Sequence, residues 1–524
     1  MEQATQELIG WGYLMNLSKM SDKDGHYKIV AAFNEWMKDD DYNLAQTAIK
    51  LLDNNVVRTT DNKFYIYKDP YWVLDTYGEL RAEVCDKLRD FYYAMNYDLA
   101  EQMQTTISKD MRKLLIDKQD LVLQLLKKIN SNHHGKQITE QFSTYFEKSY
   151  IDFDTYKPYY LCFTNCAFDL RTNEKVIIER EHYITQTTGY AYIPSKPEEL
   201  AKVKELFEII FPVFEERLCY ISIMRCAMIA LVFEYFVLAN GGGGNGKGLL
   251  NSLLKKMLGA EYFYTASVVT LIEKMKDGAN PAVANMHKKR CIVTSEPKDT
   301  EKLNLGVIKA LTGEAEINAR GLYQANCAVL LMSILILECN KKPGFDGRID
   351  NSIIRRFINI VFRSTFTLDL SKLVLPNYYK AEPTYKTKEW QENHKCALFD
   401  YLMQFSYVDV YQPECVKKAT YDYLCENDDF TVWLDQKYTL VDEKKKILKL
   451  SAMCANYKES FLKNGSREYK KMTPDRFLEK LKENIKWRDV VNERYNSNPK
   501  VGKWFGGIEE KEEDDDDSND EYVP

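Results

Sequence analysis

The chain has 524 residues, 45% hydrophobic and 29% charged, a composition typical of a globular protein with several domains rather than a disordered chain. It contains no run of 18 apolar residues, and its start lacks a basic segment and an apolar core, which argues against a membrane span or a secretory signal. Residues 509–521 contribute −9 to the net charge of −6, which leaves +3 on the rest of the chain. The acidic total therefore does not exclude a nucleic-acid partner, and residues 509–524 are predicted to be a disordered acidic tail.

The twelve cysteines are scattered, without a CxxC pair or neighbouring histidines at ligand spacing. Cys162/Cys166 and Cys219/Cys226 are the nearest pairs. This pattern predicts reduced, buried thiols rather than zinc ligands or disulfides. It indicates a reducing, intracellular compartment.

Residues 1–150 are predicted to be a helical region with a small β meander. Three short alternating stretches, 56–58, 63–67 and 72–74, are separated by turn residues, which is the pattern of a meander. Helices are predicted over about 78–95 and through much of 98–150, with the polar His133-His134 stretch in a loop within the second range.

Residues 151–197 change to the period of strands and predict a β-rich adaptor, closed by Pro194 and Pro197. Helices follow over 198–232 and lead directly into the apolar stretch at 237–239. That stretch is predicted to be the first strand of a domain over residues 198–370.

A glycine-rich loop, residues 241–248, follows this strand and precedes a predicted helix. We expect Gly241, Gly243 and Gly246 to take positive φ, so that backbone N–H groups turn toward phosphates while Lys247 supplies a positive charge. A flexible linker is the alternative, but linkers are rarely fixed between an apolar strand and a helix. The loop departs from the P-loop pattern at Gly248, where Ser or Thr normally ligates Mg²⁺. The predicted nucleotide site consists of Gly241, Gly242, Gly243, Gly244, Asn245, Gly246, Lys247 and Gly248.

Two further strand ends are candidates for the same site. An apolar strand at 291–294 ends in Ser295-Glu296, and the Glu296 carboxylate could polarise the attacking water and take part in metal binding. Ser295 stands where such strands usually carry a first acid. The apolar run 329–337 predicts one strand buried on both faces, which places Asn340 at its carboxyl end as a sensor of the γ-phosphate.

The paired Arg355 and Arg356 precede another predicted strand. Either is a candidate for a positive charge supplied to the γ-phosphate of a neighbouring subunit. The alternative is a basic surface pair.

Residues 309–324 read as a strand, a turn at Gly321 and a return strand. In a ring, such a hairpin would face the channel, where Lys309 and Arg320 could contact DNA phosphates and Tyr323 could stack on a base. An ordinary surface hairpin with solvated charges is an equal alternative on these residues.

Residues 371–428 predict a helical linker region, and 429–508 a winged-helix-like domain of three helices and two strands, the strands at 487–491 and 501–505. Its third helix is basic, which suits phosphate contacts, although a solvated helix face is an even alternative. The basic residues are Lys470, Lys471, Arg476, Lys480 and Lys482.

Five segments in this order resemble the superfamily 3 helicase domain of the poxvirus-type primase-helicases of large DNA viruses, phages and plasmids: GGGGNGKG, KRCIVTSEP, IKALTGEAEINARGLY, ILECN and IIRRFINIVF. The segment FTNCAFDLRTNEKV resembles the adaptor that precedes that domain, with Cys166 where glycine is usual. The resemblance covers roughly residues 55–510.

The resemblance implies an α/β, AAA+-like P-loop ATPase core with an N-terminal helical and β adaptor region and a C-terminal winged helix. It implies a hexameric ring that moves 3′ to 5′ on single-stranded DNA with ATP and Mg²⁺, with Glu296 as base and metal ligand. Single-stranded and forked DNA, and a separate primase or polymerase, are the expected partners, and no membrane is expected. The roughly 150 residues before the adaptor predict no primase activity in this chain. The alternatives are a nucleotide-binding scaffold ring with weak turnover and an AAA+ remodeller of protein complexes.

Overall fold

The computed structural model describes residues 38, 40–52, 55–76, 78–274, 280–314, 316–319, 327–442, 446–462 and 472–511. The predicted acidic tail lies outside the described residues from 512 onward. The chain divides into two compact units, the first comprising Met1–Tyr156 with Ile178–Thr185 and the second Lys157–Ile177 with Gln186–Pro524. No helix in the described ranges is both long enough and apolar enough to cross a bilayer.

Helices of the first unit pack around an apolar core. Buried side chains recur at helical spacing, as at Leu80, Val84 and Leu88, and these residues meet side chains of the other helices. The prediction of a loop at His133-His134 is wrong, because both residues lie in the first turn of a helix and His134 Nδ1 lies 3.2 Å from an Asp41 oxygen. The helices are α1 (Asp41–Leu52), α2 (Glu79–Thr105), α3 (Lys109–Ile129) and α4 (Asn132–Tyr145).

The predicted β meander is confirmed. Its three strands pair antiparallel, and a fourth short strand adds in parallel to the first. Tyr65 stacks on Phe153 with ring centroids 4.0 Å apart, and Trp72 Nε1 donates to the Arg180 carbonyl at 2.8 Å, so these aromatic side chains serve packing. The strands are β1 (Val56–Thr59), β2 (Phe64–Lys68), β3 (Tyr71–Leu74) and β4 (Lys148–Ser149), in the sheet order β3-β2-β1-β4.

The second unit is built around a five-stranded, fully parallel sheet. The elements of its first half are β5 (Tyr160–Cys162), β6 (Ala167–Asp169), β7 (Glu174–Val176), α5 (Pro197–Ile210), α6 (Phe214–Cys226), β8 (Phe236–Asn240), α7 (Lys247–Tyr262), β9 (Phe263–Ala266), α8 (Val269–Ile272), α9 (Pro281–Ala284), β10 (Cys291–Thr294), β11 (Lys302–Asn304), α10 (Leu305–Gly313), β12 (Glu316–Ala319), β13 (Cys327–Leu330), β14 (Ile334–Cys339), β15 (Gly344–Asp346), α11 (Asn351–Arg356) and β16 (Phe357–Val361). The sheet has the strand order β16-β8-β14-β10-β9.

Both faces of this sheet are covered, which explains why its strands are almost entirely apolar. Along β8, Val237 and Ala239 point into a cluster that includes Leu250 of α7. Phe236 and Leu238 point to the opposite face, into a second cluster that includes side chains of α10 and α11. Because all five strands are parallel, their carboxyl ends meet at one edge, where the functional side chains gather.

Two predictions near this sheet are corrected. The apolar run 329–337 is not one strand, since β13 ends at Leu330 and β14 begins at Ile334, although β14 does occupy the centre of the sheet as expected. Lys309 is not on a strand, because residues 305–313 form helix α10 with Leu305, Ile308 and Leu311 on its buried side.

The remaining elements continue the second unit to residue 510. They are β17 (Thr365–Thr367), β18 (Tyr378–Lys380), α12 (Lys388–Leu402), α13 (Glu414–Glu426), α14 (Asp429–Lys437), β19 (Tyr438–Leu440), β20 (Ile447–Lys449), α15 (Leu450–Leu462), α16 (Pro474–Lys482), α17 (Trp487–Arg494), β21 (Tyr495–Asn498), β22 (Gly502–Gly506) and β23 (Ile508–Glu510). From α14 onward these elements share their own core, with Phe430, Trp433, Tyr457 and Phe477 among its side chains. Strand β23 pairs with β19, so the start of the predicted disordered tail at residue 509 is too early.

The predicted strand at 487–491 is helix α17 instead, and the predicted strand at 501–505 is confirmed as β22. The basic third helix, α16, directs part of its charge inward, because Lys480 Nζ lies 4.5 Å from the Phe430 ring centroid. Lys482 pairs with Glu479 at 2.9 Å, and Lys470 and Lys471 lie outside the described residues. The basic charge of α16 is therefore only partly available for phosphate contacts.

A testable consequence concerns Gly259, where α7 kinks with φ 74°. A Cβ at this position would overlap the backbone carbonyl of Thr188, and the positive φ disfavours any L side chain. We expect Gly259→Ala to lower the free energy of unfolding by at least about 3 kcal/mol, measured by denaturant unfolding. Gly248→Ala, in the first turn of the same helix, is the control: the nearest atom to its Cβ is 3.8 Å away, so it should leave stability unchanged or raise it slightly. Equal stability losses in the two variants would contradict this account.

Candidate active site

The glycine-rich loop between β8 and α7 has the backbone geometry of an anion site. Gly243, Gly244 and Gly246 take positive φ of 92°, 62° and 84°. Positive φ was predicted for Gly241, Gly243 and Gly246, and Gly241 is the exception, because its Cβ is excluded instead by the Phe362 carbonyl, which would lie 2.7 Å away. Within the described part of the chain, the backbone N–H groups of residues 244–248 have no hydrogen-bond acceptor, as expected for a loop that receives phosphate oxygens.

Neighbouring segments hold the loop in this shape. The buried Asn245 side chain donates from Nδ2 to the Ser364 carbonyl at 2.7 Å, and the Phe366 N–H donates to the Gly244 carbonyl at 2.8 Å. At Gly246 a Cβ would lie 2.7 Å from the Ile210 side chain. The loop is therefore preorganised rather than a flexible linker.

Lys247, the first residue of α7, points its ammonium group into the loop. Its Nζ donates to the Gly241 carbonyl at 2.9 Å and to the Asn245 and Asn340 side-chain oxygens at 3.2 Å each. The residue is only 7% exposed, and burial lowers the pKa of Lys247, against the opposing effect of Glu338 and Glu296. All three acceptors are uncharged, so the ammonium group has no direct counter-ion, and a phosphate group would supply one.

Glu296 and Asn340 meet beyond the carboxyl ends of the adjacent strands β10 and β14. The Glu296 carboxylate accepts the backbone N–H groups of Asn340 and Lys341, both at 2.7 Å, and Asn340 Nδ2 at 2.9 Å. Asn340 Oδ1 in turn accepts from Lys247. Residues predicted from three separate strand ends therefore form one hydrogen-bonded chain, from carboxylate through amide to ammonium.

Glu338, near the end of β14, was missed as a functional candidate. Its Oε1 accepts a hydrogen bond from Asn251 Nδ2 of α7, and its Oε2 would lie 3.8 Å from a Cβ built on Gly248. The buried Asn251 is fixed by the Tyr220 hydroxyl, which donates to Asn251 Oδ1 at 2.8 Å. An acidic residue near the end of an apolar central strand was the only signal in the sequence.

Arg355 and Arg356 precede the amino-terminal end of β16, whereas the loop follows the carboxyl end of β8, its parallel neighbour. The arginines and the loop therefore lie at opposite ends of the strands. Arg356 is buried and donates from Nη1 to the Ser352 carbonyl at 2.9 Å. Arg355 is exposed, pairs with Glu234 at 2.6 Å, and lines a cavity of about 450 Å³. The structure therefore does not bring either arginine to the loop of the same chain.

The predicted DNA-contacting residues are only partly described. β12 and β13 pair antiparallel, with Glu316 opposite Leu330. The second strand of this pair begins at Cys327, beyond the predicted range 309–324, and Arg320, Gly321 and Tyr323 lie outside the described residues. Lys309, on α10 rather than on the hairpin, is half-buried and its Nζ pairs with Asp350 at 2.6 Å.

The donor set fits a nucleotide with Mg²⁺. Open N–H groups and Lys247 suit phosphate oxygens. Among the described residues, no group of three or more His, Cys, Asp or Glu side chains could hold a metal ion by itself. Mg²⁺ usually takes one or two carboxylates together with waters and substrate phosphates, and Glu296 and Glu338 each place a carboxylate at this edge of the sheet.

Comparison with known proteins shows which family this chain is similar to. The protein-family model described as "D5 N terminal like" matches residues 30–212. A "Putative helicase" of Acanthamoeba polyphaga mimivirus is 23% identical over 417 residues, 76% of this chain and 43% of the relative. "Primase D5" of Fowlpox virus (strain NVSL) is 29% identical over 253 residues, 44% of this chain and 31% of the relative.

The chain is similar to the poxvirus-type D5 primase-helicase family over the residues that the family model and these relatives cover. The resemblance inferred from its motifs is thereby confirmed, and the described fold is mixed α/β. This chain spans less than half the length of the two relatives. Among solved structures, the apo NrS-1 C-terminal region is similar at a TM-score of 0.44 and 14% identity, over 90% of this chain and all of that one.

Proposed function

We propose that this chain is an ATP-dependent DNA helicase of superfamily 3. In this proposal it assembles into a hexameric AAA+ ring that moves on single-stranded DNA and hydrolyses ATP between subunits. The hydrogen-bonded chain of Glu296, Asn340 and Lys247 beside a loop of open N–H groups is the observation that carries it. Helicase and primase names of viral relatives support a role in DNA replication.

Each group has a task in phosphoryl transfer. The loop N–H groups and Lys247 bind the phosphates and stabilise charge that develops on them. Asn340, whose amide bridges Lys247 and Glu296, orients the attacking water, and Glu296 polarises it as a general base. When bound, Mg²⁺ neutralises phosphate charge and orients the phosphate oxygens.

ATP turnover and strand displacement of the purified full chain test this proposal. A helicase shows hydrolysis that single-stranded DNA stimulates, together with unwinding of a forked duplex that requires Mg²⁺. Gly248 and Ser295, which lack the usual hydroxyl and acid, favour the second candidate, a nucleotide-binding scaffold ring with weak turnover. That candidate predicts ATP binding with slow, DNA-independent hydrolysis, and an AAA+ remodeller predicts fast hydrolysis that ignores DNA.

Arg355 gives a prediction about the interface between subunits. Because it is exposed at the sheet edge away from its own loop, we expect it to reach the neighbouring subunit's nucleotide. Arg355→Ala should reduce ATP turnover about 10³-fold or more while ATP binding persists. Mixing Arg355→Ala with Lys247→Ala subunits should restore part of the activity, since some interfaces then combine an intact loop with an intact arginine. Arg348→Ala, which removes another exposed arginine, is the control, and a mixture without activity would contradict the assignment.

A further inference from the structure

The loop lacks both side chains that usually hold Mg²⁺ in P-loop enzymes. The hydroxyl that follows the loop lysine is absent at Gly248, and the first acid of the neighbouring strand end is replaced by Ser295. The carboxylate that a Mg²⁺ site needs here must then come from Glu296 or Glu338, the two acids described above.

Glu338 places a carboxylate level with Ser295, at the carboxyl ends of the strands. Thr294 of β10 pairs with Leu337 of β14, so Glu338 lies beside Ser295, one strand across. Its Oε2 faces the space that a side chain at Gly248 would fill, 3.8 Å from that Cβ position. Because Gly248 has no side chain and Ser295 has no carboxylate, there is space beside Oε2 of Glu338.

The two carboxylates at this edge differ in what their oxygens do. Both oxygens of Glu296 accept hydrogen bonds from Asn340 or Lys341. Glu338 is held by one oxygen only, through Asn251, and its Oε2 accepts no hydrogen bond in the ranges that the structure describes. Glu338 is therefore oriented by Asn251 and keeps one oxygen open to a metal ion.

We propose that Glu338 is the protein ligand of the Mg²⁺ that accompanies ATP, bound through Oε2, with Asn251 and Tyr220 as positioning residues. This inference rests on the proposed nucleotide site. It separates the two acids: Glu338 holds the metal and Glu296 acts on water. The shift of the carboxylate from β10 to β14 compensates for Gly248 and Ser295 together.

Binding of Mn²⁺, followed by electron paramagnetic resonance of the free ion in the presence of a non-hydrolysable ATP analogue, tests the inference directly. Glu338→Gln keeps an oxygen for Asn251 but removes the negative charge. We expect it to weaken Mn²⁺ binding at least about tenfold, while affinity for the analogue in EDTA stays unchanged. Glu301→Gln, a partly exposed acid on the segment after β10, is the matched control and should bind Mn²⁺ as the unmodified chain does.

A rescue variant guards against a simple loss of structure. Gly248→Ser in the Glu338→Gln background restores a hydroxyl where nothing within 3.8 Å obstructs its Cβ, and it should recover most of the lost Mn²⁺ affinity. Unchanged Mn²⁺ affinity in Glu338→Gln overturns the inference, and so does an equal loss of analogue affinity in EDTA. If the unmodified chain binds no analogue with or without Mn²⁺, the proposed function fails and the inference with it.

Discussion

Lys247→Ala is expected to reduce ATP turnover at least about a hundredfold, as removal of one preorganised donor does in other enzymes. The reason is the loss of an ammonium group that uncharged oxygens of Gly241, Asn245 and Asn340 surround. Steady-state hydrolysis with and without single-stranded DNA measures the effect, and binding of a fluorescent ATP analogue shows whether affinity falls as well.

The fold of the nucleotide-free protein should survive this change. Burial lowers the pKa of Lys247, which means that the folded state disfavours the charged ammonium when no phosphate is present. Thermal unfolding without nucleotide should therefore change little in Lys247→Ala. Lys255→Ala is the control on the same helix, since Lys255 is exposed and its Nζ contacts Thr265 Oγ1 at 3.2 Å. DNA-stimulated hydrolysis that persists in Lys247→Ala would show that the site is misassigned.

Strand ends could be found from the sequence because apolar strands that stop at a polar residue are a local signal. This signal predicts that Lys247, Glu296 and Asn340 lie at one edge of the sheet, and the structure joins the three by hydrogen bonds. The sequence could not show that Lys247 donates to Asn340 and that Asn340 donates to Glu296, because these contacts depend on which strands are neighbours in the sheet. Glu338 was overlooked for the same reason, because only the register between β10 and β14 places it beside Ser295.

The errors occurred where local preference and tertiary packing disagree. At 487–491, Trp487 and two valines favour a strand, yet Trp487 and Val491 are buried four residues apart, as on a helix face. The run 329–337 contains no turn residue stronger than Ser333, so its break between β13 and β14 had no clear local signal. The φ values of the loop glycines were similarly open, because several of them could have taken the left-handed conformation.

Glu296→Gln is expected to leave ATP binding intact and to reduce turnover about 10²- to 10⁴-fold, the usual contribution of a general base. The substitution changes more than one charge. Asn340 Nδ2 now donates to a Glu296 oxygen, and a glutamine would present its own NH₂ there unless the amide turned.

Every arrangement open to the variant leaves a mismatch and lowers activity. If the amide turns so that its oxygen accepts from Asn340 Nδ2, its NH₂ faces the backbone N–H groups of Asn340 and Lys341. If the substituted side chain keeps its oxygen on the backbone N–H groups of Asn340 and Lys341, its NH₂ faces Asn340 Nδ2 as donor against donor. If Asn340 instead flips to accept from the new NH₂, its Nδ2 turns toward Lys247 Nζ and that hydrogen bond is lost. The hydrogen bonds that link residue 296, Asn340 and Lys247 therefore run in one direction only. They require a side chain at position 296 that accepts with both of its oxygens.

Single-turnover hydrolysis, with analogue binding measured in parallel, separates this effect from a loss of affinity. Glu301→Gln provides the control, because Glu301 lies five residues beyond Glu296 and its carboxylate accepts from the Lys298 N–H. Turnover in Glu296→Gln within a few-fold of the unmodified chain would transfer the role of base to another group. Glu338 would then be the next carboxylate to test, and the separation of metal binding from water activation would have to be abandoned.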